Sequence, residues 1–399
     1  MASWYPTHFW PKDGSMQNSL PAAEREAAAQ RVDAALKQSA HGLVDREVLI
    51  ELVALAAVAG EHLLVIGPPG TAKSEAVRRV ARAIDARYFE YLLGRFTEPN
   101  EIFGPVDLRR LRAGEVHTDT TNMLPEAELV FLDEVFLGST AILNTLLGVL
   151  NERVFRRGHT TVKCPLKVCV GASNDLPADP SLSAFADRFL LRCFVQPVSD
   201  TQLEDLLAGG WTAGGPPGSA VAALADLDTL SRAARACDPT SIRPHLAQAV
   251  RRLRSAGLHL SDRRVVKIQK LATAAAVLAG RDTPGPGDLW PLIYALPSPE
   301  AQSAARDLLR DLLSASENTA LAAAAEDASQ GRLARAERLV QAGSALLSTP
   351  PSGADRPDWR LRLEGVAREI DAAFAVDDLP PKLAEIRSQV VTALNSEQS

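Results

Sequence analysis

This sequence predicts an α/β core with a central parallel sheet, followed by an all-α lid and a C-terminal helical appendage. Two observations predict it. The first is Gly67-Pro-Pro-Gly-Thr-Ala-Lys-Ser74 (Gly67, Pro68, Pro69, Gly70, Thr71, Ala72, Lys73 and Ser74), set between the apolar run Leu63–Ile66 and a segment in which Ala76, Val77, Val80, Ala81 and Ile84 recur at helical spacing. A strand, a glycine-bearing loop and a helix in that order make a phosphate cradle, because backbone N–H groups turn inward and the helix N-terminus adds partial positive charge. The second is Leu129–Leu132, an apolar run that reads as a buried strand with two carboxylates, Asp133 and Glu134, at its C-terminal end. In an open parallel sheet that end is where ligands bind.

Composition limits what else the chain can be. Its 399 residues suggest two or three domains, and 46% hydrophobic residues can bury a sizeable core. A net charge of −6 gives no global basic field, so nucleic acid is not the expected main partner. Cys164, Cys169, Cys193 and Cys237 lack metal-ligand spacing, and Cys169 and Cys193, inside apolar runs, read as reduced core residues, which fits a cytoplasmic location. No apolar stretch approaches the roughly 20 residues of a membrane span, and no secretory signal is visible. The boundaries expected are an N-terminal leader or disordered end over 1–20, the α/β domain over 21–208, the lid over 219–299 and a helical region over 300–399. The alternative for 1–20, where Trp4, Tyr5, Phe9 and Trp10 crowd, is an aromatic peptide that docks on a partner.

Each element follows in order. Ala22–Lys37 is alanine-rich and helical, and a second helix ends near Ala59. Between them, Val44 and Asp45 are candidates to pack on a nucleotide base, with a plain helix-start loop as the other reading. In the cradle, Lys73 would reach the β/γ-phosphates and the Ser74 hydroxyl would ligate Mg²⁺; Ala72 stands where the usual spacing has a second glycine. Tyr88–Leu93 reads as a strand. Glu101–Val106 is either a loop facing a central pore or a surface loop with Ile102 and Phe103 tucked beneath. Asp133 would hold Mg²⁺ and Glu134 would polarise the attacking water. Ser139 caps a helix with an apolar face through Leu150. A hairpin turns at Gly158-His159, with His159 as a turn residue. Leu166–Ala172 is another buried strand, so Asn174 emerges at the same sheet edge as Asp133 and can orient the water. Arg188 precedes a last strand, Leu190–Val195; an arginine on a subunit edge can enter a neighbour's nucleotide site, although the residues alone read as an Asp-Arg surface pair. Gly209–Gly218 is expected to break the chain. Beyond it, Leu224–Ala236, Pro244–Ala256 and Arg263–Ala279 look helical, and Leu289–Leu296 reads as the last lid helix. From Glu300 on, three or four Ala- and Leu-rich helices are expected, interrupted over Ser348–Pro357.

From about Gly42 to Val195 the chain resembles the MoxR family of AAA+ P-loop ATPases, and within it the RavA group. The residues that carry this are Gly67–Ser74, Phe89-Glu-Tyr-Leu92, Phe103-Gly-Pro105, Leu124-Pro-Glu-Ala-Glu128, Val130-Phe-Leu-Asp-Glu134, Ala141-Ile-Leu-Asn-Thr-Leu-Leu147, Asn151-Glu-Arg153, Ala172-Ser-Asn174 and Asp187-Arg188. The resemblance implies that Gly67–Ser74 is the Walker A loop, with the family's alanine before the lysine, and that Asp133 and Glu134 are Walker B. It implies Asn174 as sensor 1, Arg188 as the arginine finger and Arg263, rather than Arg264, as sensor 2. It implies ATP with Mg²⁺ between wedge and lid, a homo-oligomeric ring, usually a hexamer, and chaperone-like remodelling of a protein substrate alongside a von Willebrand factor A partner. The tail shows no β-rich insert of the RavA kind. Two rival readings remain: a nucleotide-gated scaffold with little turnover, and a chelatase-like or DNA-acting motor with a helix-2 insert.

Overall fold

The computed structural model describes residues 21–199, 202–212, 220–314, 316, 318–348, 356–374 and 379–395. The aromatic segment 1–20, most of the Gly/Pro run after Thr212 and much of the Ser348–Pro357 interruption lie outside the described residues.

The sheet is built from β1 (Leu63–Ile66), β2 (Tyr88–Leu92), β3 (Leu129–Asp133), β6 (Val168–Ser173) and β7 (Leu191–Phe194), in the order β2-β3-β6-β1-β7. Every pairing is parallel. β4 (Val154–Arg157) and β5 (Thr160–Lys163) form the expected hairpin apart from it. The strands are continuous apolar runs because both faces are covered. Alternation of side chains sorts them: Leu63 and Val65 join one core, Leu64 and Ile66 the other.

The first core packs α1 (Ala22–Ala40), α2 (Glu47–Ala59) and α3 (Lys73–Ala83) on the sheet. α2 is apolar nearly all round, as a helix enclosed by other helices must be. The second core closes under α4 (Pro99–Phe103) and, beyond α5 (Leu108–Arg112), under α6 (Thr140–Glu152) and α7 (Pro180–Ala186). Ile102 and Phe103 are fully buried there, so the tucked reading of that segment holds.

The break expected over Gly209–Gly218 does not begin at Gly209, and the part of it after Thr212 lies outside the described residues. α8 (Leu203–Thr212) runs through Gly209 and Gly210. A Cβ on Gly209 would lie 2.6 Å from the Gly42 carbonyl oxygen, so this glycine serves a close approach of helix to loop. The lid follows as α9 (Leu224–Ala236), α10 (Arg243–Ser255) and α11 (Asp262–Leu278). Leu289–Leu296, expected as a helix, falls in a tighter 3₁₀ segment, Pro286–Ala295, which carries Pro291 in its interior. α12 (Pro299–Leu308) and α13 (Arg310–Leu313) lead into three longer helices, α14 (Ala322–Ser348), α15 (Arg356–Ala373) and α16 (Pro381–Asn395). The first turns of α14 (Ala324, Ala325, Ala328) join the main core, while Leu339, Val366, Ile370 and Leu383 form a separate small core.

The lid does not sit over the phosphate loop. Arg264, only 5% exposed, donates to the Phe189 and Leu190 carbonyls (3.3 and 2.6 Å), just before β7 begins. Lys270 pairs with Glu61 (3.1 Å), just before β1. α11 therefore docks at the N-terminal ends of the parallel strands, and the phosphate loop leaves their C-terminal ends.

Candidate nucleotide-binding site

The loop after β1 is a cradle in geometry as well as in sequence. A Cβ on Gly67 would lie 2.2 Å from the Val195 oxygen, so only glycine lets β1 leave the sheet against β7. Gly70 (φ +79°) and Ala72 (φ +56°) both turn left-handed, which curls the loop onto the first turn of α3. For Ala72 that conformation costs about 1–2 kcal/mol relative to the right-handed one, which identifies it as the position a second glycine would relieve. Lys73 is 7% exposed and donates to the Gly67 and Pro68 carbonyls (2.7 and 2.9 Å), inside its own loop. Burial lowers its pKa, and nearby Asp133 and Glu134 oppose that shift. Thr71 Oγ1 donates to Pro68 (2.9 Å) and tightens the turn.

Three further residues meet this loop at the same sheet edge. Asp133 ends β3, and its Oδ1 accepts the Glu134 N–H (3.0 Å). Glu134 is left-handed (φ +48°). Asn174 follows β6, and its Nδ2 donates to Glu134 Oε1 (2.7 Å). Partial burial raises the Glu134 pKa, with the neighbouring Asp133 charge adding to the shift. A cation, an acid pair and an amide thus surround one space at the C-terminal ends of β1, β3 and β6. A triphosphate and a divalent cation suit that donor set: backbone N–H groups and Lys73 for anionic oxygens, Ser74 and Asp133 for the ion.

Arg188 lies apart from this group, in the turn after α7, and its Nε is buried with no hydrogen-bond partner. Asp187 beside it accepts from Arg264 (2.8 Å). Arg263 is not brought to the phosphate loop; it donates to Asn151 Oδ1 (2.9 Å) at the end of α6. That place is the strands' opposite edge, since neighbouring Arg153 reaches the Gly60 carbonyl (3.0 Å) ahead of β1. Val44 and Asp45 lie in the loop between α1 and α2, Asp45 left-handed at φ +57°.

Sequence reasoning passed over Arg46. It is 3% exposed, and its Nε donates to the Thr71 carbonyl (2.7 Å) while Nη2 donates to Gln196 (2.9 Å). A third bond reaches the Asp45 carbonyl. Burial lowers its pKa, so the charge is held against desolvation by carbonyls of three segments. The only signal was position: a lone arginine immediately after a loop already suspected of facing the base.

The family model that matches residues 30–232 is described as the MoxR domain of MoxR-vWA-β-propeller ternary systems. The chain belongs to the MoxR family. Two uncharacterized proteins of Methanocaldococcus jannaschii are each 35% identical to it, over 62% and 60% of the chain. The matches span 66% and 62% of those relatives' own lengths, so this MoxR chain is compared with only part of each. Among solved structures, a Cytophaga hutchinsonii protein provisionally described as an ATPase superposes with a TM-score of 0.60 at 16% identity, covering 74% of this chain and 97% of that one. At that identity the likeness concerns the fold alone. Among the described residues no helix is long and apolar enough to cross a membrane.

Proposed function

We propose that this MoxR protein hydrolyses ATP and couples the nucleotide state to remodelling of a protein partner. The observation that carries this is the convergence of Lys73, Asp133 and the Glu134–Asn174 pair on one sheet edge. Lys73 would exchange its two loop carbonyls for β- and γ-phosphate oxygens. Ser74 and Asp133 would hold Mg²⁺, which supplies charge neutralisation. Asn174 orients Glu134, and Glu134, its basicity raised by burial, takes the proton of a water whose oxygen attacks the γ-phosphorus as the bond to ADP breaks. Arg188, with its unpartnered Nε, would complete the site of a neighbouring subunit in a ring.

A hexameric ring, chaperone-like action, a cytoplasmic location and the RavA-like grouping belong to the same reading. The name of the matching family model supports a von Willebrand factor A domain protein as partner. A second reading, an assembly scaffold with little turnover, is favoured by one contact: Asn174 already occupies an oxygen of Glu134, which suits a site that idles until a partner arrives. Specific ATPase activity measured as the protein concentration is raised separates the two. Activity that climbs with concentration, and collapses in both Arg188→Ala and Glu134→Gln, supports the ring ATPase. Activity indifferent to Arg188 refutes a shared site, and none at any concentration leaves the scaffold.

A further inference from the structure

α8 carries an apolar face that the described residues leave in solvent. Leu203, Leu206 and Leu207 recur at i, i+3 and i+4, which puts them on one side of the helix. They are between 40% and 68% exposed. Every position from Leu203 to Gly210 is exposed except Gly209, where the helix approaches Gly42. Leu361 of α15, exposed as well, stands beside α8, because its neighbour Arg362 pairs with Glu204 (2.7 Å).

The sequence of α8 does not sustain a helix by itself. It has 10 residues, and isolated helices shorter than about 12–15 residues are marginal in water. Gly209 and Gly210 each cost about 1 kcal/mol in a helix relative to alanine. A helix this short is held by packing of its apolar face, yet among the described residues nothing buries these leucines. Something else must cover them.

The chain supplies a cover of the right chemistry and reach. Trp4, Tyr5, Phe9 and Trp10 crowd one stretch, and residues 1–12 contain Lys12 and no carboxylate side chain, whereas α8 presents Glu204 and Asp205. Pro21 precedes α1, whose 19 residues span about 28 Å, and the far end of α1 leads to Gly42 beside α8. Trp10 stands eleven residues ahead of Pro21, a length of chain that covers up to roughly 36 Å. Residues 11–20 can therefore span the distance and deliver the aromatic stretch to α8.

We propose that residues 4–10 dock on the leucine face of this chain's own α8, with Leu361 at the margin of the contact. α8 connects β7 to the lid helices, so the docked segment ties the N-terminus to that connection. The contact is independent of the nucleotide reading.

The test uses the full chain in two forms. With p-benzoylphenylalanine in place of Phe9, ultraviolet light should give an adduct within one chain, to the peptide 203–210 or to the peptide holding Leu361, read by mass spectrometry. Trp4→Ala, Tyr5→Ala, Phe9→Ala and Trp10→Ala together should speed hydrogen exchange in α8 by about tenfold or more. Exchange in β1 and β6 should stay as in the parent, which shows that the core is intact. An adduct elsewhere in the chain, no adduct, or unchanged exchange in α8 overturns the proposal. An adduct that joins two chains overturns it as well, and assigns the leucine face to a second copy.

Discussion

Replacing Glu51 with glutamine should flatten the pH dependence of this protein's stability. The Glu51 carboxyl is enclosed by α2 and the start of α14, and burial pushes its pKa from 4.5 to about 7, against the opposing pull of two backbone N–H groups. The folded chain therefore holds a proton that the unfolded chain releases. Stability from this group is fully present below about pH 4.5 and is lost as pH rises through about 7. One pKa unit corresponds to about 1.4 kcal/mol, so the full span of the shift from 4.5 to about 7 is worth about 3 kcal/mol. Linkage puts about three quarters of this between pH 5 and pH 8.5, and about a quarter between pH 6.5 and pH 8.5. The assay is denaturant unfolding of the parent and Glu51→Gln across that range. The difference between the two free energies should change with pH by these amounts, because every other titrating group cancels. Parallel curves would refute the reasoning, and would mean that Glu51 titrates alike in the folded and unfolded chains.

Two further substitutions probe the buried arginines. Arg46→Met leaves the Thr71 and Gln196 carbonyls without their donor, at about 1–3 kcal/mol for each one that water cannot reach; the unfolding midpoint should fall and ATP affinity with it, whereas an unchanged midpoint would deny the brace. Arg264→Met removes donors from Asp187, Phe189, Leu190 and Ala295 at once. Asp187 is 40% exposed and stays hydrated, so the cost falls on the carbonyls, about 1–3 kcal/mol for each one that water cannot reach, and should appear as early unfolding of α11 in hydrogen exchange; protection equal to the parent would refute its role as the clasp between sheet and lid.

What was legible in the sequence was what is local. The phosphate loop and the Asp133-Glu134 pair each sit where an apolar strand stops, and a parallel sheet sends all such stops to one edge, so Asn174 could be placed beside Glu134 without knowing any contact. The left-handed turn at Ala72 was foreshadowed by its standing in a glycine position. The two buried arginines, Arg46 at the phosphate loop and Arg264 at the lid, gave no such signal, because most of their partners are carbonyls: Arg46 spans from residue 46 to Gln196, and Arg264 reaches back to Phe189. A carbonyl acceptor leaves no mark in the side-chain pattern. The Gly209–Gly210 pair misled for a related reason. Its helix is tolerated because a glycine there lets α8 lie on Gly42, a contact made only in the folded chain.

The lid shows the same limit and its consequence. Ser261 caps α11, its Oγ accepting the Arg264 N–H (3.4 Å). Which of two adjacent arginines turns inward is a matter of helical phase, about 100° per residue, and the packing of α11 decides it. Arg264 goes into the core, while Arg263 stays at the surface on Asn151. Both lie at the N-terminal ends of the strands, with the whole sheet between them and Lys73. Within one subunit, then, the lid and the phosphate loop are held apart by the clasp that Arg264 makes. An arginine from α11 can meet a nucleotide in this arrangement only if the nucleotide sits on another subunit, and for Arg263 that would require giving up Asn151.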